Sequence, residues 1–292
     1  MEQLVTQLID GISAGSIYAC MALSVVMIYQ AINHLNFAQG EMAMFSTYLA
    51  WQLLQWGLPY WVIFPAIVAA SFAIGYAVER AAIHPLRGAS ELSHVVVFIA
   101  LFSIFNSAAG FIWGFGVKSV PSPFGEGPLF EGALLGKHQA GILVVTLVLV
   151  AALWVFLRLT RVGLAMRAAA ANPRSARLVG IPVERVGALG WGLASAIGAV
   201  AGMLIAPIIF LDPGMMMSVL LYGFAGAVLG GLTSPLGAVL GGLTVGIFEK
   251  LVEAYVPVVG EQLKLPIALA VIIAVLLFRP SGFLGQKIVQ RV

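Results

Sequence analysis

The chain has 292 residues, of which 61% are hydrophobic and only 9% charged. Water-soluble domains carry about 25% charged residues, so a soluble fold is excluded. Fifteen Lys and Arg against twelve Asp and Glu leave a formal charge of +3, and the single Cys20 excludes an internal disulfide and a cysteine-based metal site of the usual spacing.

Mean hydropathy is +1.03. The apolar runs are rich in Leu, Val, Ala and Gly and show no sustained alternation, which predicts helices rather than a barrel. Residues 1–10 hold Glu2 and Asp10 but no basic residue, so no cleaved secretory signal is expected. A span needs roughly 20 apolar residues. Nine hydrophobic segments meet or approach that length, at about 9–30, 36–55, 59–80, 93–112, 139–158, 187–210, 217–232, 236–257 and 264–279. The second and seventh are polar, short or glycine-broken, and each either re-enters or crosses. The expected fold is therefore all-α and polytopic: a single transmembrane domain over residues 1–292, with about eight or nine spans, two of them short or discontinuous.

After the first segment comes the polar run Asn33-His34-Leu35-Asn36-Phe37-Ala38-Gln39-Gly40-Glu41. Amides and a carboxylate at bilayer depth are costly and usually line a pathway or a protein-buried site. A short cytoplasmic turn, with Glu41 in the first turn of the next helix, is the other reading. Asn36, Phe37, Gln39 and Glu41, with Asn106 of the fourth segment, are the candidate pathway residues.

Residues 113–138 contain Pro121, Pro123 and Pro128 and cannot be regular helix throughout; they predict a lid or docking surface. Residues 159–186 form a basic loop. Within it Ala168–Ala171 favour helix, Asn172 is an N-cap, Pro173 fits the first helical position, and Gly180 is a stop. Leu178, Val179 and Ile181 give the short helix an apolar tip, which suits docking to a soluble partner or lying on lipid.

Orientation follows from the basic residues. Arg80 and Arg87, then Arg158, Arg161, Arg167, Arg174, Arg177 and Arg185, then Arg279, Lys287 and Arg291 make eleven of the fifteen cations, all on loops of one side. Nine crossings place the amino terminus outside and the carboxyl terminus in the cytoplasm.

The octapeptide Gly-Ala-Val-Leu-Gly-Gly-Leu-Thr occurs at 226 and again at 237. Gly226/Gly230 and Gly237/Gly241 are four apart, a spacing that lets helix backbones approach closely in a bilayer. Gly231, Thr233, Ser234 and Pro235 interrupt the run. Tight packing and a discontinuous element facing a pathway both account for it. The two unusual segments each follow a long span, 9–30 and 187–210, that cross in opposite directions, as in an inverted repeat with broken helices at the midplane.

No phosphate-binding Gly-Lys-Ser/Thr loop, Gly-x-Ser-x-Gly or His-Glu-x-x-His is present, and the four histidines are scattered. No catalytic or metal-binding residue is assigned. Energy for active transport then has to come from elsewhere, and the docking helix points to a separate cytoplasmic ATPase.

Four motifs in order carry a family resemblance across essentially the whole chain. Leu35-Asn36-Phe37-Ala38-Gln39-Gly40-Glu41-Met42 resembles the amino-terminal signature of branched-chain amino-acid ABC transporter permeases. Arg167…Asn172-Pro173…Ala176-Arg177-Leu178-Val179-Gly180-Ile181 resembles their ATPase-coupling segment. Val228-Leu229-Gly230-Gly231 with Ser234-Pro235-Leu236-Gly237, and Arg279 to Gly285, resemble their late glycine motif and carboxyl end.

The resemblance, to the shorter of the two related permeases, implies a bacterial inner-membrane importer. Its partners would be a second permease, two ATPases that bind the ATP and Mg, and a periplasmic binding protein. This chain would hold no cofactor and would not itself be an enzyme. Relatives for urea, short amides and aromatic or other carboxylic acids share these motifs, so the substrate stays open. A secondary transporter driven by an ion gradient is the alternative of another class.

Overall fold

The computed structural model describes residues 2–32, 35–86 and 88–255, with 266, 267, 270, 273, 274, 277 and 282–285. The expected Asn33–His34 turn, most of the segment 264–279 and the basic carboxyl end lie outside the described residues. Ten α-helices are seen in the described chain: α1 (Glu2–Ile32), α2 (Gln39–Gln55), α3 (Tyr60–Val78), α4 (Glu91–Trp113), α5 (Lys137–Leu159), α6 (Arg161–Ala171), α7 (Pro173–Leu178), α8 (Val183–Ile209), α9 (Met216–Gly230) and α10 (Pro235–Tyr255). Among the described residues there is no strand, only isolated bridges such as Lys118 with Leu211.

Among the described residues six helices are long and apolar enough to cross a membrane: α1, α3 with its extension to Leu86, α4, α5, α8 and α10. The two segments expected to be weak are the short ones, α2 with 17 residues and α9 with 15. The basic loop contains more helix than Ala168–Ala171 suggests. Thr160 caps α6, its hydroxyl accepting from the Gly163 amide at 2.9 Å, so that helix begins at Arg161. α3 widens into a π-turn at Glu79–Ile83 and tightens to 3₁₀ at His84–Leu86. Pro85 supplies the reason, since it has no N–H to continue the ladder.

The chain forms two compact units. The first comprises Met1–Val26, Phe124–Val144 and Ser218–Val292. Glycines dominate its packing. A methyl group on Gly230 would strike the Gly237 carbonyl, one on Gly241 the Gly226 carbonyl, and one on Gly246 the Gly15 backbone. α9 and α10 thus meet backbone to backbone, and α10 meets α1 through Gly11 and Gly15 in the same way. The hairpin turn is made by Gly231 (φ +104) and by the Ser234 hydroxyl, which accepts from the Gly237 amide at 3.1 Å ahead of Pro235. The amides of Phe283 and Leu284 donate to the Leu229 and Gly230 carbonyls at 2.8 and 3.0 Å, satisfying the end of α9.

The second unit comprises Met27–Pro123 and Val145–Met217. α8 is its buried centre, packed by α2, α3 and α6. Small residues set the spacing: Gly192 abuts Phe72, Gly202 abuts Thr47, and Gly75 abuts Ser195 and the Trp191 backbone. Ala50, Ile63, Ile67, Ala199 and Met203 form an apolar cluster between α2, α3 and α8. The Ser71 hydroxyl donates to that of Ser46 at 2.7 Å, a polar tie inside this packing.

Candidate functional site

The start of α2 gathers four of the five candidate pathway residues within the second unit. Asn36 is only 2% exposed. Its Oδ1 accepts from the Ala38 amide at 2.9 Å, forming a turn that leads into the helix. Its Nδ2 is buried with no hydrogen-bond partner among the described residues. Gln39 is fully buried and its Nε2 donates to the Ala194 carbonyl of α8 at 2.9 Å. Glu41 is buried, and its Oε2 accepts from Asn106 Nδ2 of α4 at 3.0 Å. The same Nδ2 donates to the Pro213 carbonyl at 2.7 Å. Phe37 stands apart: it is about half exposed.

The Gln39 bond fixes where α2 begins along α8. Ala194 is the twelfth of the 27 residues of α8. At 1.5 Å per residue it lies about 16 Å along a helix of about 40 Å. α2 therefore begins near mid-height of a buried span, where the amides of its first turn have no acceptor within the helix. A carboxylate, three amide side chains and a helix start are thus gathered between α2, α4 and α8 in largely apolar surroundings. Such an arrangement is costly in an apolar setting.

Pro213 and Ala194 were not among the predicted residues. Both contribute backbone carbonyls, which no residue pattern reveals.

The short helix α7 forms as its caps predict. Asn172 Oδ1 accepts from the Ser175 amide at 3.0 Å, and Pro173 occupies the first turn. At the other end the Gly180 amide donates to the Arg177 carbonyl at 3.1 Å and the Ile181 amide to the Ala176 carbonyl at 3.0 Å. Gly180 itself has φ +83, so this is the paired-bond glycine stop. Ala176 is 3% exposed and holds the helix to its own unit, while Leu178 is 88% and Val179 76% exposed. Arg177 is exposed beside them.

The glycine residues Gly226, Gly230, Gly237 and Gly241 lie in the α9–α10 contact, with Gly231 and Pro235 at its turn. Their geometry is that of close backbone packing. Among the described residues no group of His, Cys, Asp and Glu is arranged to hold a metal ion.

An all-helical polytopic chain with a buried polar set between its helices and a short helix with an exposed apolar tip has the make-up of a membrane permease component. The chain belongs to the branched-chain amino acid transport system permease component family, whose model matches residues 7–278. It is 33% identical to the high-affinity branched-chain amino acid transport system permease protein BraD of Pseudomonas aeruginosa, covering 98% of this chain and 97% of that protein. LivH of Escherichia coli K12, a permease protein of the same description, is 33% identical with 98% and 97% covered. A probable LivH of Methanocaldococcus jannaschii is 30% identical, with 93% and 89% covered. The solved PsaBC of Streptococcus pneumoniae, in complex with Fab, aligns over 96% of this chain and 91% of its own with a TM-score of 0.48 and 12% identity.

Proposed function

We propose that this chain is the transmembrane permease subunit of an ABC importer for branched-chain amino acids. One observation supports it beyond family membership: the polar set Asn36, Gln39, Glu41 and Asn106 is gathered around the start of α2, with Gln39 tied to the middle of α8 and Asn106 to the Pro213 carbonyl beyond its end. A mostly apolar route with a few placed polar groups suits a substrate with an aliphatic side chain and a polar backbone. Substrate arrives from a periplasmic binding protein at the outer mouth, near residues 113–138 and 211–216.

ATP and Mg belong to two separate cytoplasmic ATPase subunits, and this chain performs no hydrolysis. A second, related permease completes the pathway. The whole chain acts as one permease domain in the bacterial inner membrane, amino terminus outside and carboxyl terminus in the cytoplasm. Closure of the ATPases pushes on α7 through Leu178 and Arg177 and shifts the helices between outward and inward states.

Uptake of labelled leucine into proteoliposomes holding the complete transporter and its binding protein tests the substrate. Leucine, isoleucine and valine should compete, and urea and an aromatic acid should not. Uptake of urea or the aromatic acid in place of leucine would retain the architecture and overturn the substrate.

A further inference from the structure

Behind α7, inside the second unit, helix ends line an open cavity of about 350 Å³. Its polar lining includes Arg167 of α6, Arg177 of α7, His94 of α4 and Gln30 of α1. Its apolar lining includes Met27, Leu157, Met166 and Val186. No Asp or Glu is among the described residues that line it. Neither the Arg167 nor the Arg177 guanidinium has a hydrogen bond or ion pair among the described residues. Two exposed arginines therefore line one cavity with no acidic partner among the described residues. Arginine presents a planar fork suited to phosphate oxygens, and charge-assisted bonds of this kind are the strong ones.

The rest of the lining decides what carries the phosphate. Met27, Leu157 and Val186 sit at the ends of α1 and α5 and the start of α8, three of the helices long and apolar enough to span. The cavity thus lies where a span passes from hydrocarbon to headgroup. A soluble phosphate would satisfy the arginines and leave the apolar half against water. An amphiphile satisfies both halves, and basic pockets between spans on the cytoplasmic side have that specificity.

We propose that this cavity binds an anionic phospholipid, its phosphate between Arg167 and Arg177 and its glycerol and upper acyl region against Leu157 and Met166. The choice of the inner leaflet rests on the orientation given above; the site itself does not. The consequence reaches the docking helix. Pro173 and Arg177 line the cavity and belong to α7, so a bound lipid buttresses the helix from behind while its apolar tip faces outward. Anionic lipid then becomes a structural part of the coupling element.

The test is made on the complete transporter purified from nanodiscs containing phosphatidylglycerol and phosphatidylcholine, with native mass spectrometry reading the lipid that stays bound. The wild type should retain phosphatidylglycerol over phosphatidylcholine. Arg167→Gln should lower that retention about tenfold, the loss expected for one charged hydrogen-bonding partner. Ala89→Trp fills the cavity from an exposed lining position with no change of charge, and should lower retention as well even if the arginine variant assembles poorly. Arg174→Gln, on the α7 helix but absent from the lining, should stay within about twofold, because it makes no contact with a lipid in the cavity and acts on it only through screened charge. Retention unchanged in both Arg167→Gln and Ala89→Trp would overturn the proposal. So would equal losses in Arg167→Gln and Arg174→Gln, or soluble glycerol phosphate displacing the lipid at equal concentration.

Discussion

Replacing Leu178 with Ser separates folding from docking. Leu178 is 88% exposed, so the substitution removes almost no packing within the chain. Exposed substitutions away from special features stay within about 0.5 kcal/mol, and the melting temperature of the permease should hardly move. If the same side chain is buried in a groove of the partner ATPase, its loss removes most of the burial energy of a leucine, about 1.5–3 kcal/mol. That corresponds to roughly a 10- to 150-fold weaker association. Titration of labelled ATPase onto the permease in nanodiscs measures it, with a thermal melt of each variant alongside. Ala176 is the internal contrast: at 3% exposure it faces the chain itself, and Ala176→Asp should lower the melting temperature. Wild-type ATPase affinity in Leu178→Ser, or a lowered melting temperature, would refute this account of α7.

Glu41→Gln keeps an acceptor for Asn106 Nδ2 and removes only the charge. ATP-dependent uptake should fall about tenfold or more with the melting temperature preserved; full uptake would make Glu41 a structural acceptor only. Asn172→Ala removes the cap from α7 at about 0.5–2 kcal/mol, while Asn172→Asp retains it; hydrogen exchange at Ser175 and Ala176 reads the difference. Gly230→Ala drives a methyl into the Gly237 carbonyl and should destabilise by about 1–3 kcal/mol, whereas Gly116→Ala meets nothing within 4 Å and should be silent. Thermal melts in detergent compare the two.

Local chemistry was legible in the chain, and pairing across it was not. Asn172, Pro173 and Gly180 act within a few residues of one another, so cap preferences suffice to draw α7. The four-residue glycine spacing likewise marks the α9–α10 contact. The same spacing at Gly11 and Gly15 of α1 meets Gly246 and Leu243 of α10, a partner that only the fold reveals. Gln39 and Ala194 are 155 residues apart, and Asn106 and Pro213 are 107 apart. Nothing in the local pattern ties Gln39 to the middle of α8, and carbonyl acceptors have no residue signature. The polar run thus announced a site at the start of α2, while its partners required the fold.

The most direct measurement of the central claim is leucine uptake under two energy sources. Proteoliposomes with the full complex and binding protein should accumulate leucine when ATP is supplied and not when a proton or sodium gradient alone is imposed, and the permease without ATPases should do neither. Accumulation by this chain alone, driven by an ion gradient and indifferent to ATP, would contradict it and identify a secondary transporter.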